Sequence, residues 1–324
     1  NKLLPAHFLV HDQNTCSIEE YWDLSFQRGQ EKVDYSRAIY DLLKESIRRR
    51  LPEDTQAGLL LSGGIDSSIV LGLISELIGG EKVKTFSAGF EEDSYNELGD
   101  ARYVAEHFGA EHHEVIVKPD IVNVVERLIY HIDEPLADWS IFPTFLVSRL
   151  AKQHVDIVLS GDAADDLFAG HERLMADHLD AYYSKIPVVA RDWIYKVIQR
   201  ITDSPQQRGL NVIKRYVEGA RLPQELRDCR WGTCFGPTEQ CKILRKEIVN
   251  KIEKRDSFKL VKDCFRNCDA PDLLSKELYV SLKHLSEGIR IKVDRMSMAN
   301  SLEVRTPYLD YEFVEFSMRI PSDL

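Results

Sequence analysis

Short apolar runs alternate with segments of helical hydrophobic spacing through the first half of the chain. The apolar runs predict strands, and the spacing of apolar residues between them predicts helices. The predicted strands are 57–61, 83–88, 112–117 and 155–160, and the predicted helices are 35–50, 67–78, 96–108, 120–131 and 143–153. This alternation favours an α/β fold, a parallel sheet with helices on both faces, whose ligands bind at the carboxyl ends of the strands.

The two remaining parts of the chain have different patterns. From about residue 172 the sequence is mostly helical, with predicted helices at 187–200, 207–218, 240–254, 272–285 and 310–319. The first 33 residues predict an extended hairpin, with strands at 7–10 and 21–24, followed by a polar linker.

The junction between the first predicted strand and its helix is rich in glycine and serine. It reads Leu59-Leu-Leu-Ser-Gly-Gly-Ile-Asp-Ser-Ser68, and two glycines allow a sharp turn and a close approach to a ligand. The hydroxyl and N–H groups of Ser62, Ser67 and Ser68 would face an anion at the helix N-terminus. The turn has no lysine, so it is not a Walker A loop. The alternative is a capped turn that binds nothing.

A second strand–turn junction carries three carboxylates. Ser160-Gly161 ends the strand 155–160, and Asp162, Asp165 and Asp166 follow at a helix start. One or two acids there are ordinary capping. Three beside Ser-Gly, together with Asp66 in the first turn, favour a cation, and we predict Asp66 and Asp165 as Mg²⁺ ligands facing a triphosphate.

A third polar segment, 287–310, combines a helical pattern with a proline-locked turn. It contains the neighbouring charges Asp294 and Arg295, and Pro307 in the turn. By itself it is as consistent with a buried ion-pair network as with a functional site.

Composition narrows the classes of partner. The formal net charge is −11, from 42 Lys and Arg against 53 Asp and Glu, which argues against nucleic acid as the main partner. No apolar run reaches membrane-spanning length and no signal peptide opens the sequence, so a cytoplasmic protein is expected.

Five of the six cysteines lie between Cys229 and Cys268, and free, mostly buried thiols are favoured over a metal cluster. Cys264 and Cys268 would share a helix face.

The three polar segments, in this order, resemble the synthetase domain of class B, glutamine-hydrolysing asparagine synthetases. The shared motifs are Ser-Gly-Gly-x-Asp-Ser-Ser at 62–68, Ser-Gly-Asp-x-x-Asp-x-Leu-Phe-x-Gly at 160–170, and Asp-Arg-x-Ser-Met-Ala through Leu-Asp at 294–310. An Asp-Glu-Pro segment at 133–135 is shared too. The resemblance covers about 34–324 and implies a PP-loop, adenine nucleotide α-hydrolase-like fold. It also implies an ATP-dependent carbon–nitrogen ligase that uses ATP and Mg²⁺, adenylates aspartate and aminates it with ammonia from glutamine.

The resemblance also implies roles for individual residues. Expected ATP-binding residues are Leu60, Ser62, Gly63, Gly64, Asp66, Ser67, Ser68, Ala88, Ser160 and Gly161, with Ala88 and Ser87 against adenine. Asp162 and Glu287 occupy the positions of a catalytic pair and are expected to face the acyl-adenylate. The family has Gly-Gly where this chain has Ala163-Ala164, whose methyls narrow the approach to the phosphates.

Residues 1–33 would be the tail of a glutaminase domain, whose nucleophilic cysteine is not in this sequence. A lysine-bearing segment is expected beyond Leu324, so this chain alone should bind ATP weakly and be poorly active. The expected partners are small molecules, with no nucleic acid or membrane, and a homodimer is possible. The alternatives are a β-lactam synthetase-like, peptide-cyclising or amidating ligase, or a non-catalytic ATP-binding protein.

Overall fold

A computed structural model gives the fold. The residues it describes are 3–26, 33–53, 56–91, 96–118, 122–136, 138–171, 173–174, 182–202, 208–227, 229–232, 237–252, 256–285 and 287–324. They divide into two compact units, which are described separately. One combines residues 27–168 with 286–324, and the other combines 1–26 with 169–285.

A five-stranded, fully parallel sheet forms the centre of the first unit. Its strand order is β5-β4-β3-β6-β7. The strands are β3 (Ala57–Leu60), β4 (Val83–Phe90), β5 (Glu111–Val117), β6 (Ile157–Leu159) and β7 (Glu303–Arg305). The first four lie where the hydrophobic runs predicted them, and the predicted fold class is confirmed.

Helices cover both faces of this sheet, because successive residues of a strand point to opposite faces. On one face Gly89 of β4 meets the Leu98 side chain so closely that a Cβ would lie 2.3 Å from it. On the other, Phe86 packs with Val147 and Val158 in the core. The first face carries α1 (Tyr35–Arg50), α2 (Ile65–Ile78) and α3 (Leu98–Phe108); the second carries α4 (Val122–Ile132), α5 (Ile141–Lys152) and α14 (Glu287–Met298). Short helices α6 (Ala164–Phe168) and α15 (Tyr311–Ser317) complete the unit.

The edge strand β7 was not predicted. It has three residues, two of them charged, and it is followed at once by the turn at Pro307, so its sequence carries no hydrophobic run. Pairing makes it a strand, because Val304 lies beside Val158 and Arg305 beside Leu159 of β6. The third polar segment is thereby joined to the sheet.

The second unit begins with an antiparallel hairpin, β1 (His7–Asp12) and β2 (Thr15–Glu20). The prediction that 21–24 forms its second strand is wrong. Asp23 instead accepts hydrogen bonds from the Tyr279 hydroxyl at 2.7 and 3.0 Å and pairs with Lys283 at 2.8 Å. Burial opposes ionisation of Asp23, but these two partners hold its pKa below the ordinary value.

The other described elements of this unit are helical. Its helices are α7 (Val188–Ile198), α8 (Arg208–Gly219), α9 (Cys229–Gly232), α10 (Pro237–Ile243), α11 (Lys246–Ile252), α12 (Lys259–Asn267) and α13 (Leu273–Val280), followed by a π-helical turn, Ser281–Leu285. The predicted helix 240–254 is two helices, and α12 and α9 were not predicted. None of the helices among the described residues is long and apolar enough to cross a bilayer.

The cysteines of this unit correct two expectations. Cys264 and Cys268 do not share a helix face, because α12 ends at Asn267 and Cys268 has an extended backbone. Of the five described cysteines only Cys229 is buried, so the thiols are not mostly buried; Cys234 lies outside the described residues. Burial raises the pKa of Cys264 to about 12 and also raises that of Cys268, so both thiols stay protonated at neutral pH.

Candidate active site

The loop after β3 makes a turn that requires glycine at one position. Gly63 has a φ of +84°, and a Cβ there would lie 2.5 Å from the backbone nitrogen of Ala101 in α3. Side chains rarely adopt this φ, and the neighbouring atom is backbone that cannot move aside. Gly64 has an ordinary φ of −68° and precedes the first residue of α2.

The serine hydroxyls of this loop hold its shape. The Ser67 hydroxyl lies 3.2 Å from the Ser62 amide and 3.1 Å from the Ser62 hydroxyl. Ser68 donates to the Gly64 carbonyl at 2.7 Å. Ser67 is buried, whereas Ser62 is exposed and Ser68 is half-buried. Ser62 is therefore the most exposed serine of this loop, while the buried Ser67 hydroxyl makes its hydrogen bonds within the loop.

The loop after β6 packs directly on the start of α2. A Cβ on Gly161 would lie 2.8 Å from the Ser67 backbone nitrogen and 3.2 Å from the Asp66 carbonyl carbon. Because β3 and β6 are adjacent parallel strands, both loops leave the same edge of the sheet. Asp66 lies in the first turn of α2 and is half-buried, and Asp165 lies in the first turn of α6 and is exposed. The two predicted metal ligands thus begin neighbouring helices at one edge.

The end of β7 completes this edge. The Ser160 amide donates to the Arg305 carbonyl at 3.0 Å, and the Ser160 and Thr306 hydroxyls lie 3.3 Å apart. The Tyr308 hydroxyl donates to the Asp66 carbonyl at 3.2 Å, and burial raises the pKa of Tyr308. Sequence reasoning singled out neither Thr306 nor Tyr308, although both lie inside the third motif, which was the available signal.

The adenine-side prediction falls on the end of β4. The Ser87 hydroxyl donates to the carbonyl of Leu61, and Ser87 is buried. Ala88 and Leu60 are partly buried and pack against the Phe86 core on the face covered by α5. Ser87 thus ties β4 to the loop after β3, and the contact of Ala88 with adenine stays a prediction.

The predicted catalytic pair is only partly described. Asp162 is half-buried in the loop after β6, beside Gly161. Glu287 begins α14, but its side chain lies outside the described residues. The proximity of these two carboxylates stays a prediction.

The third segment takes part in the buried ion-pair network considered from the sequence, because Asp310 is buried and its carboxylate lies 2.8 Å from the Arg50 guanidinium. Asp294 and Arg295 are both exposed. Lys292, two residues before Asp294 on α14, is largely buried, with its ammonium 2.7 Å from the Ser140 hydroxyl and 3.2 Å from Asp138. Burial opposes ionisation of Asp138, but hydrogen bonds from Ser140 and the charge of Lys292 hold its pKa below the ordinary value. Lys292 and Asp138 form a further ion pair, which the spacing did not reveal.

Ala163 has the left-handed backbone that the glycine of the family motif would adopt freely. Its φ is +75°. We expect Ala163→Gly to raise the free energy of unfolding by about 1 kcal/mol, because an alanine is strained at positive φ and glycine is not. Urea unfolding measures the change. Ala164→Gly is the matched control, at the first residue of α6, and should lower stability. A lower free energy of unfolding in Ala163→Gly would contradict a left-handed backbone at this position.

Comparison with known proteins places this geometry in a family. The sequence profile of the asparagine synthase family, described as "Asparagine synthase", matches residues 38–324. A Bacillus subtilis relative, asparagine synthetase [glutamine-hydrolyzing] 1, is 26% identical, with 98% of this chain and 49% of the relative covered. A putative asparagine synthetase of Mycobacterium tuberculosis is 28% identical over 96% of this chain and 47% of the relative.

A more distant relative is amidase chyE of Penicillium rubens, 24% identical over 100% of this chain and 52% of the relative. Among solved structures, the glutamine-dependent NAD+ synthetase of Acinetobacter baumannii in complex with ADP matches with a TM-score of 0.32 and 18% identity, covering 65% of this chain and 48% of that chain. The chain spans about half the length of the curated relatives it matches. With a family profile that covers nearly all of its length, this chain belongs to the asparagine synthase family.

Proposed function

We propose that this chain is the synthetase part of an ATP-dependent amide-forming ligase that converts aspartate and ammonia into asparagine. The observation that carries the proposal is the contact of Gly161 with the Ser67 amide, which brings together, at one sheet edge, two loops and three first-turn aspartates, with Asp66 in α2 and Asp165 and Asp166 in α6. Backbone N–H groups at the start of a helix favour phosphate. Because the chain carries a net charge of −11, its overall field would not attract a polyanion such as ATP, and local N–H donors would have to hold it.

The loop after β3 would hold the triphosphate and the end of β4 the adenine. Ser62 and the amides at the start of α2 face the phosphates, Ala88 and Ser87 lie toward adenine, and Ser160 with Gly161 closes the ribose side. The remaining proposed ATP-binding residues belong to the same loop and strand end: Leu60, Gly63, Gly64, Asp66, Ser67 and Ser68.

The donor chemistry of this edge fits Mg²⁺. Carboxylate oxygens are the ligands that this ion prefers, and it takes one or two of them together with phosphate oxygens and water. Asp66 and Asp165 would hold it, since each starts a helix beside the other's loop. When bound, Mg²⁺ supplies positive charge to the phosphates.

The proposed reaction has two steps. An oxygen of the aspartate side-chain carboxylate forms a bond to the α-phosphorus of ATP, the bond to the β-phosphate oxygen breaks, and pyrophosphate leaves. Ammonia then forms a C–N bond to the activated carbonyl carbon, and the bond from this carbon to the AMP oxygen breaks. The nitrogen loses a proton, which Asp162 or Glu287 would accept if within hydrogen-bond reach.

Oxygen-18 transfer tests this proposal. Incubated with ATP, Mg²⁺, ammonium and [¹⁸O]aspartate labelled in the side-chain carboxylate, the chain should give asparagine together with AMP that carries one ¹⁸O atom. Mass spectrometry detects this even at low turnover. Labelled AMP with asparagine supports the proposal.

Two alternatives predict different results in the same assay. A ligase for another carboxylic acid gives no labelled AMP with aspartate, but does so with its own acid. The observation that supports a ligase for another acid is the 24% identity to a protein named amidase. A non-catalytic ATP-binding protein binds ATP and gives no AMP with any acid, and either result contradicts the assignment to aspartate.

A further inference from the structure

Three potential metal ligands converge at the outer strands of the sheet. Glu111 and His113 are two residues apart on β5, so their side chains lie on the same face. His154 reaches this place from the turn between α5 and β6. One donor atom from each of the three side chains lies within 4.8 Å of the other two.

Packing fixes the floor of this cluster. Phe86 is the cross-strand neighbour of His113, is 1% exposed, and stacks on the His113 ring with centroids 5.4 Å apart. The His113 and His154 rings are 3.9 Å apart and inclined by 31°. An imidazole nitrogen of His113, Nε2, lies 2.9 Å from a Glu111 carboxylate oxygen. A buried aromatic ring in the sheet therefore supports the two imidazoles from below.

The cluster is separate from the proposed nucleotide site. Glu111 and His113 lie on the edge strand β5, and His154 lies in the turn that precedes β6, whereas the loops of the nucleotide site leave the carboxyl ends of β3 and β6. None of its three residues belongs to the loops after β3, β6 or β7. Its nitrogen donors also differ from the all-oxygen set that Mg²⁺ prefers.

The geometry points to a binding site for one divalent transition-metal ion of the zinc class, held by Glu111, His113 and His154. Two imidazole nitrogens and one carboxylate oxygen form a ligand set that zinc uses, with a fourth position open to water. Imidazole suits zinc, copper and nickel, whereas Mg²⁺ and Ca²⁺ prefer oxygen. Because the centroids of the two rings lie only 3.9 Å apart, binding requires each ring to turn so that one nitrogen of each faces the ion.

Lys84 provides a test of whether Glu111 binds the metal ion. It is the cross-strand neighbour of Glu111, and its ammonium lies 3.6 Å from the Glu111 carboxylate oxygen. This cation competes with a metal ion for the same oxygen. Its removal should therefore strengthen metal binding at the Glu111 carboxylate.

Zinc binding to the chelator-treated chain, measured by calorimetry in the presence of excess Mg²⁺, tests the site. We expect His113→Asn and His154→Asn each to lower the zinc affinity of this site at least about tenfold, and Lys84→Gln to raise it severalfold. Zinc should also raise the melting temperature of the unsubstituted chain and not that of His154→Asn, because binding to the folded state alone stabilises it. His107→Asn, on α3 and outside the cluster, is the matched control and should bind as the unsubstituted chain does.

Glu111→Gln is a second test of the site in case His113→Asn does not fold. It should fold normally, because the Glu111 side chain is 52% exposed. It should weaken zinc binding as the histidine variants do. Equal zinc affinity in the unsubstituted chain and the ligand variants would overturn the proposal, as would the lack of any zinc-induced rise in melting temperature. An unchanged or weaker affinity in Lys84→Gln would overturn Glu111 as a ligand.

Discussion

Asp66→Asn is expected to lower Mg²⁺-dependent pyrophosphate release by at least about 10²–10³-fold, the loss typical of removing one preorganised electrostatic partner. The amide keeps the size of the side chain and removes the charge that would hold the cation at the phosphates. The fold should survive, because Asp66 is half-buried in the first helical turn, and loss of its charge there costs about 0.3–1 kcal/mol. ATP–pyrophosphate exchange measures the loss of pyrophosphate release, and the melting temperature measures the effect on stability.

Asp156→Asn is the matched control for this prediction. Asp156 precedes β6 at the amino edge of the sheet, is exposed, and pairs with Lys152 on the surface. Its loss should leave exchange unchanged. Asp165→Asn should resemble Asp66→Asn, and the double variant should be little worse than either single one, because groups that act as a unit are not additive. Normal Mg²⁺-dependent release by Asp66→Asn would contradict the assignment.

Gly63→Ala is expected to lower the free energy of unfolding by at least about 2 kcal/mol. A positive φ costs a residue with a Cβ roughly 1–2 kcal/mol, and the new methyl would press on the backbone of α3. The clash distance of 2.5 Å to the Ala101 nitrogen forces the loop or α3 to move. Urea unfolding measures this loss of stability from the midpoint and the slope of the unfolding transition.

Gly99→Ala is the matched control, because a Cβ on Gly99 meets no atom within 4 Å and the residue lies in α3. That substitution should raise stability by about 0.5–1 kcal/mol through helix propensity. A Gly63→Ala variant as stable as the unsubstituted chain would show that the loop relaxes and that the turn does not require glycine.

The sequence predicted the centre of this protein because its pattern there is local. The hydrophobic runs of β3, β4, β5 and β6 and the helical spacing between them are each visible within one segment, so both the type of these elements and the parallel orientation of the strands follow from the chain alone. The turn chemistry of Ser62–Ser68 is local as well, and the structure shows why Gly63 is needed there.

The tertiary structure decided what depends on partners distant in the chain. Strand β7 has no hydrophobic run and exists because Val304 pairs with Val158. Residues 21–24 contain the aromatic and apolar residues typical of strands, yet they form no strand, and Asp23 bonds to Tyr279 and Lys283, which lie more than 250 residues away in the chain. Lys292 with Asp138, and Glu111 with His154, are likewise joined by folding.

The residue types of a functional segment follow from its sequence, whereas its neighbours do not. The motifs identified Asp66, Gly161 and Asp162 by their place after a strand, because a ligand at the end of a parallel strand needs polar residues at that point. The sequence by itself determined the strand–loop–helix units and the donor groups at their ends. Only the tertiary structure decided that Gly161 lies against Ser67 and that Tyr308 bonds to Asp66, because such contacts depend on strand order and packing between segments.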